Sequence, residues 1–133
     1  MTTDSAPRPV DIKLHRRSRT LELAYPGGEH YHLPCEYLRV YSPSAEVRGH
    51  GPGQESLQSG KLRVNISGIT PVGHYALQLI FDDGHDTGLY SWDYLHQLAT
   101  EQEARWEDYL QRLHAAGASR DPQVQVLSFD PGK

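Results

Sequence analysis

The stretch LELAYPGGEHYHL, residues 21–33, decides the fold because a second stretch of the chain repeats its pattern. The second stretch is LQLIFDDGHDTGL, residues 77–89. Each begins with alternating leucines and an aromatic residue, passes through a glycine turn and ends on a leucine, so that Leu33 matches Leu89. This order predicts two related hairpins, each made of a strand, a turn and a second short strand.

The repeat continues beyond the two hairpins. After one extra residue in the second copy, EYLR (36–39) is matched by DYLH (93–96). We expect Gly28 and Gly84 to supply the positive φ that the two turns need, and both Tyr-Leu pairs to point into the core. The repeat is therefore interpreted as structural.

Alternating apolar and polar residues predict the strands. The segments with this pattern are 10–14, 21–25, 31–33, 62–66 and 75–81. His30 and His32 lie on the face of the third strand opposite Tyr31 and Leu33. Both faces of segment 75–81 are largely apolar, which indicates a central strand.

The last third of the chain changes to a helical period. Ser91 is expected to cap a first helix, and Thr100 with Glu103 forms a capping-box pair that starts a second. Gly117 is a suitable stop for the second helix. One mostly apolar stripe contains Leu95, Leu98, Gln102, Trp106, Tyr109, Leu110 and Leu113. Strands followed by helices predict an α+β fold: a mostly antiparallel β-sheet built from two related hairpin units, with a C-terminal helix packed on it.

Three parts are predicted along the chain. Residues 1–8 form a flexible N-terminal arm, 9–117 a single domain, and 118–133 a tail with one edge strand around Val124, Val126 and Phe129. Residues 42–60 are rich in Ser, Gly, Pro and Gln and form the longest loop. Loops of this length in compact domains are commonly functional or mobile.

Composition excludes several classes of function. The net charge is −4 over 133 residues, so no overall positive field attracts nucleic acid. The only basic run, 15–19, is typical of a solvated turn. No signal pattern or transmembrane window is present, which predicts a cytoplasmic protein without a membrane partner. The one cysteine, Cys35, cannot form an internal disulfide and is expected to be a small structural residue.

Histidines are the main candidates for chemistry. His30 and His32 project from one strand face, His85 lies among aspartates, and His50 lies in the long loop. The simpler interpretation is solvent-facing histidines, because neither an HExxH motif nor a third ligand at helical spacing follows. The alternative is an iron or zinc site that uses some of these four residues.

No enzyme motif is assembled in the sequence. Ser91 lacks a GxSxG elbow, and GHGPGQ lacks the lysine and the helix of a phosphate-binding loop. The aromatic residues Trp92, Trp106, Tyr90, Tyr94 and Tyr109 are interpreted as core and interface residues. We therefore expect no catalytic residues, no cofactor and no enzymatic activity.

Two segments carry a resemblance to a known family. PVDIKLHRRSRTLELAYPGGEHYHLPCEYLRVYSPSAEV (9–47) and HYALQLIFDDGHDTGLYSWDYL (74–95) resemble the gamma-butyrobetaine-hydroxylase-like N-terminal domain family, which includes small stand-alone bacterial proteins. The resemblance covers about residues 9–113, and GLYSWDYL (88–95) is its most specific part. It implies the α+β fold predicted above.

The resemblance also implies a zinc site that this chain has lost. In the larger hydroxylases of the family, three cysteines and a histidine hold a structural zinc. By position these ligands fall on Ser42, Ser44, Val47 and His85. Hydroxyls and a valine cannot replace thiolates as zinc ligands. The catalytic iron domain of those hydroxylases has no counterpart here, so hydroxylation is not implied.

Our leading hypothesis is a non-enzymatic accessory module that binds a protein partner through its long loop and aromatic surface, and that allows weak homo-oligomers. The alternative is an iron- or other metal-binding protein. Relatives appended to Mrp-like ATPases connect that alternative, by analogy, with metal-cofactor or iron–sulfur cluster maturation.

Overall fold

The two sequence repeats fold into two units of the same design, each a three-stranded antiparallel sheet followed by a helix. The structure, a computed structural model, describes residues 7–49 and 55–123. The first unit contains β1 (Asp11–His15), β2 (Thr20–Ala24), β3 (His30–Pro34) and α1 (Cys35–Val40). The second contains β4 (Ile66–Val72), β5 (Ala76–Phe81), β6 (Leu89–Ser91) and α3 (Trp92–Thr100). The short α2 (Ala45–Arg48) lies between the units, and α4 (Gln102–Ala116) follows the second. The α+β prediction is confirmed, with one sheet for each unit.

The two glycine turns are closed by equivalent hydrogen bonds. Tyr25 N–H donates to Glu29 O at 2.9 Å, and Phe81 N–H donates to His85 O at the same distance. Gly28 and Gly84 have φ values of 92° and 90°, which only glycine adopts without strain. The predicted relation between the two hairpins is therefore confirmed in backbone detail.

The predicted alignment of the two repeats is wrong by one residue at the last strand of each unit. Leu33 pairs with Leu21, whereas Leu77 pairs with Tyr90 and not with Leu89. The extra residue of the second copy thus precedes β6. Burial agrees, because Leu33 and Tyr90 are fully buried while Leu89 is 49% exposed.

The expected strand over residues 62–66 is wrong. Strand β4 begins at Ile66 and continues through Pro71, with an irregularity between Ile66 and Gly68. Proline is tolerated because β4 is an edge strand. Residues 60–62 instead hydrogen-bond to residues 119–120. Strand β5 lies between β4 and β6, as its two apolar faces predicted.

Helix boundaries confirm two of three sequence signals. Ser91 Oγ accepts a hydrogen bond from Tyr94 N–H and caps α3, and Gly117 ends α4 with a φ of 66°. The Thr100 capping box is wrong. Thr100 Oγ1 donates back to His96 O at 3.0 Å inside α3, and Glu101 stands at the N-cap of α4 without a side-chain bond.

The core lies between the two units. Tyr37 of α1 donates to Leu98 O of α3 at 2.7 Å, and Tyr90 of β6 donates to Leu38 O. A smaller apolar cluster of Val40, Tyr109 and Leu113 holds α4 against α1. The predicted edge strand at Val124, Val126 and Phe129 lies outside the described residues. In the ranges 7–49 and 55–123, every helix is too short or too polar to span a bilayer.

Candidate functional site

A cleft of about 520 Å³ forms where the segment after α1 meets α3 and α4. The long loop predicted from sequence supplies one wall, through α2 and residues 55–58. The lining side chains that matter below are Tyr41, Arg48, Tyr94, Arg105, Tyr109 and Arg112. We call this feature the arginine–tyrosine cleft.

The cleft has an apolar floor, and one of its walls is held in place by hydrogen bonds. Val40 and Tyr109 form the floor, and Leu57 packs against them. Tyr109 donates its hydroxyl to Gln58 O at 2.7 Å, and Ser56 N–H donates to Val47 O at 2.7 Å. The described part of the loop is therefore held by one hydrogen bond from α4 and by one between its own two segments.

Guanidinium groups cover the tyrosine rings of the cleft. The Arg48 guanidinium lies 4.6 Å from the ring centre of Tyr94. Arg105 and Arg112 lie 5.5 and 5.6 Å from the ring centre of Tyr41. Each of these is within the range of a favourable cation–π interaction.

The three arginines differ in how their charge is neutralised. Arg105 pairs with Glu101 at 2.9 Å and Arg112 with Asp108 at 3.0 Å, both along α4. No ion pair among the described residues involves Arg48, which is exposed. The tyrosine hydroxyls are satisfied internally, and burial raises the pKa of Tyr109 to about 12. Glu55 also lines the cleft, and Arg105 and Arg112 are paired within α4. The positive charge of the cleft therefore centres on Arg48, beside rigid aromatic walls.

The residues that resemblance assigned to zinc lie together at the edge of this cleft. Ser42 Oγ is 2.8 Å and Ser44 Oγ 3.4 Å from His85 Nε2. Val47 and His85 both line a neighbouring cavity. Ser42, Ser44 and His85 are each at most 7% exposed. The structure thus brings the four positions into one neighbourhood.

This neighbourhood does not fit zinc. Its only strong metal ligand among the four positions is one imidazole nitrogen, and structural zinc needs four good donors. Ser42 and Ser44 instead hydrogen-bond to the imidazole. That the zinc site is lost remains a prediction, now with a stated physical reason.

Ser42, His85 and Glu46 resemble a catalytic triad in their distances. His85 Nδ1 lies 3.2 Å from Glu46 Oε1, so Nδ1 carries the proton and Nε2 accepts the Ser42 hydroxyl. Ser42 is 1% exposed, and a Cβ added at Gly88 would lie 2.6 Å from its Oγ. An attacking nucleophile needs room for a reacting carbon, so we interpret the arrangement as a structural hydrogen-bond network.

Burial and nearby charges together lower the pKa of His85, although the carboxylates of Glu46 and Asp83 act in the opposite direction. Burial lowers the pKa of His85, and the positive charge of Arg39 lowers it further. Arg39 Nε and Lys61 Nζ hydrogen-bond to Asp83 Oδ2 at 2.9 and 2.6 Å. Burial alone would raise the pKa of Asp83, but these two hydrogen bonds outweigh it and lower that pKa.

The other predicted metal ligands lie elsewhere. His30 and His32 are exposed on the outer face of the first sheet, where both contact Glu22, as does His15. Hydrogen bonds from His15 and His30 lower the pKa of Glu22 to about 2. His50 lies outside the described residues. Cys35 is buried, as expected, and burial raises the pKa of its thiol to about 11.

Sequence reasoning grouped Tyr94 and Tyr109 with the core and interface aromatics but missed Tyr41 and the arginines. Arg105, Tyr109 and Arg112 follow one another at steps of four and three, a spacing that places them on one helix face. That signal was available in the sequence. Arg48 had no such signal, because only the tertiary fold brings α2 to Tyr94.

Comparisons with known proteins agree with the fold. A family model described as "Gamma-butyrobetaine hydroxylase-like, N-terminal" matches residues 12–96. Two solution NMR structures are each 52% identical to this chain, with TM-scores of 0.80 and 0.77. Their alignments cover 94% and 98% of this chain and 98% of each relative.

A third solved structure is more distant. It is a crystal structure of a protein of unknown function of the DUF971 family from Acidithiobacillus ferrooxidans ATCC 23270. It is 37% identical, has a TM-score of 0.60, and its alignment covers 71% of this chain and 98% of that one. No curated protein matches this chain.

Proposed function

Because this chain belongs to the gamma-butyrobetaine hydroxylase-like N-terminal family, whose name describes no activity of the domain itself, we propose a role from the site alone. The protein is a non-enzymatic interaction module, and its arginine–tyrosine cleft binds an acidic segment of a partner protein. The observation that carries this proposal is the set of three arginines around two tyrosine rings in one cleft.

Charge supports an acidic ligand. The whole chain has a net charge of −4, so a polyanion is repelled by the molecule on average and is attracted only by a local positive surface. Arg48 offers a guanidinium without an internal carboxylate partner among the described residues. Guanidinium groups bind carboxylates with two parallel hydrogen bonds, which makes Arg48 the expected first contact.

The composition of the cleft walls favours a peptide ligand over a free carboxylate ion. Tyr41 and Tyr94 present rigid apolar rings beside the charges, which is the composition of protein-binding surfaces. Arg105 and Arg112 lie seven residues apart on α4, which is about two helical turns, so different acidic side chains of an extended segment reach different guanidiniums.

A binding assay with a defined peptide tests the proposal. We suggest fluorescence anisotropy with a fluorescein-labelled octaglutamate peptide at low salt, with an octalysine peptide as the charge control. The wild-type protein is expected to bind octaglutamate, to bind octalysine more weakly, and to lose binding as salt is added. Free glutamate is expected to compete poorly, because it reaches only one guanidinium.

A matched pair of charge reversals locates the binding site. Arg48→Glu removes one charged contact, which contributes about 1.5–3 kcal/mol, and we expect affinity to fall about tenfold or more. Arg17→Glu makes the same change in net charge on the exposed turn between β1 and β2 and is expected to leave affinity nearly unchanged. Equal losses in both variants, or no octaglutamate binding at all, would contradict the proposal.

A further inference from the structure

The outer face of the first sheet carries three histidines around one carboxylate. Glu22 stands on the central strand β2, and its register partner on β3 is His32. Directly paired residues of antiparallel strands share a face. His30 lies two residues before His32 on the same face, and His15 reaches the carboxylate diagonally from β1. Sequence spacing alone gave only His30 and His32.

The side-chain atoms of this cluster converge. His15 Nε2 lies 2.7 Å from Glu22 Oε1, and His32 Nε2 lies 3.7 Å from the same oxygen. His30 Nε2 hydrogen-bonds to the other carboxylate oxygen. One ligand atom from each of His15, Glu22 and His32 can be chosen so that all lie within 4.8 Å of one another. We infer that His15, Glu22, His30 and His32 form a binding site for a divalent transition metal ion such as zinc.

The donor set selects the class of metal. Three imidazole nitrogens with one carboxylate suit zinc, copper and nickel, whereas calcium and magnesium prefer oxygen ligands. Zinc binds imidazole nitrogen at about 2.0–2.1 Å. The ligand atoms of His15, Glu22 and His32 already lie within 4.8 Å of one another, and His30 is expected to join them by turning its ring. Binding would join all three strands of the sheet through side chains.

The exposure of the four side chains leaves room for the ligands to close around an ion. The three histidine side chains are 42%, 53% and 59% exposed, so their rings are able to turn. The Glu22 side chain is only 16% exposed and serves as the fixed ligand. Lys13 is the cation opposite Glu22 in the β1–β2 register, and its ammonium group pairs with Asp11 at 3.5 Å.

Calorimetric titration of tag-free protein with zinc chloride tests the site. We expect one zinc ion per chain, no binding of magnesium, and a rise in the melting temperature on adding zinc. Removing even an outer-shell partner of a metal ligand costs about 10- to 100-fold in affinity. Glu22→Gln and His32→Asn each remove a ligand, so each is expected to weaken zinc binding by at least that factor.

A control variant and a check of folding complete the test. The double variant His74→Asn/His114→Asn removes two exposed histidines far from the cluster along the chain and is expected to bind zinc as the wild type does. Far-UV circular dichroism checks folding, and if Glu22→Gln unfolds, the exposed His32→Asn decides. Failure of the wild type to bind zinc, undiminished binding by His32→Asn, or an equal loss in the double variant would overturn the inference.

Discussion

Ser42 and His85 occupy two of the four positions that the resemblance assigns to zinc, and in this structure they form a hydrogen bond with each other. In this chain a serine hydroxyl lies 2.8 Å from the imidazole nitrogen. If zinc bridged a cysteine and a histidine with bond lengths of about 2.3 and 2.0–2.1 Å in tetrahedral geometry, sulfur and nitrogen would lie about 3.5 Å apart. The observed spacing is close enough that a metal site is reachable by substitution.

The direct test at these positions is to introduce three thiols. The triple variant Ser42→Cys/Ser44→Cys/Val47→Cys is expected to bind one additional zinc ion per chain with His85 as the fourth ligand, and to melt at a higher temperature with zinc than without. Adding His85→Asn to the triple variant is expected to weaken this binding. Zinc uptake that does not depend on His85 would show that the four positions do not form a common site.

Burial of His85 predicts how stability depends on pH. The pKa of His85 in the folded state lies below its usual value of 6.5, so the unfolded chain binds a proton that the folded chain does not. Stability therefore falls as pH decreases below about 6.5, until the folded-state pKa is passed. Urea unfolding between about pH 7 and pH 5 measures this slope.

The variant His85→Asn is expected to show a shallower pH dependence than the wild type, because the group that gains a proton on unfolding is absent. His74→Asn removes an exposed histidine and is expected to leave the slope unchanged. A slope as steep in His85→Asn as in the wild type would mean that another group controls the acid sensitivity.

At the scale of elements, the glycine turns show why the repeat was readable from sequence. Both hairpins use one backbone conformation, at Gly28 and Gly84, that few other residues tolerate. A requirement of this kind is local, so it leaves a visible residue at a fixed distance from the strand. The first strand of each unit has no such mark. Both first strands were therefore predicted from alternation alone, which located β1 correctly but misplaced β4.

Alanine substitutions test the equivalence of the two turns. Gly28→Ala and Gly84→Ala place a side chain at positive φ, where no steric neighbour interferes, and each is expected to cost about 1–2 kcal/mol of unfolding free energy. Gly27→Ala also meets nothing within 4 Å but has no positive φ, so its effect is expected to be near zero. Urea midpoints measure all three. If Gly27→Ala costs as much as Gly28→Ala, backbone strain is not the cause.

At the scale of the whole molecule, what could be predicted depended on how far apart the interacting residues lie in the sequence. The Ser91 cap, the Gly117 stop and the alternation of β1, β2, β3 and β5 act over a few residues and were predicted correctly, whereas the alternation over residues 62–66 and the Thr100 capping box were misleading. The arginine–tyrosine cleft joins Arg48 of α2 with Tyr94 of α3, and only packing of the two units brings them together. The histidine cluster depended on strand register, which alternation does not fix.

The same long-range assembly gives the cleft its shape. Hydrogen bonds between the units, such as that from Tyr37 to Leu98 O at 2.7 Å, hold α1 against α3. The serine and histidine network fixes the start of the loop that forms the cleft wall. In our account the fold is therefore a scaffold, and the function lies in the charged aromatic surface that it assembles.

The most direct test of that claim is a two-dimensional ¹H–¹⁵N NMR titration of the labelled protein with octaglutamate. We predict that shift changes concentrate on the backbone amides of the cleft, at Tyr41, Arg48, Tyr94, Arg105 and Arg112. Changes centred instead on the basic turn at residues 15–19, or spread evenly over the surface, would contradict the cleft as the binding site.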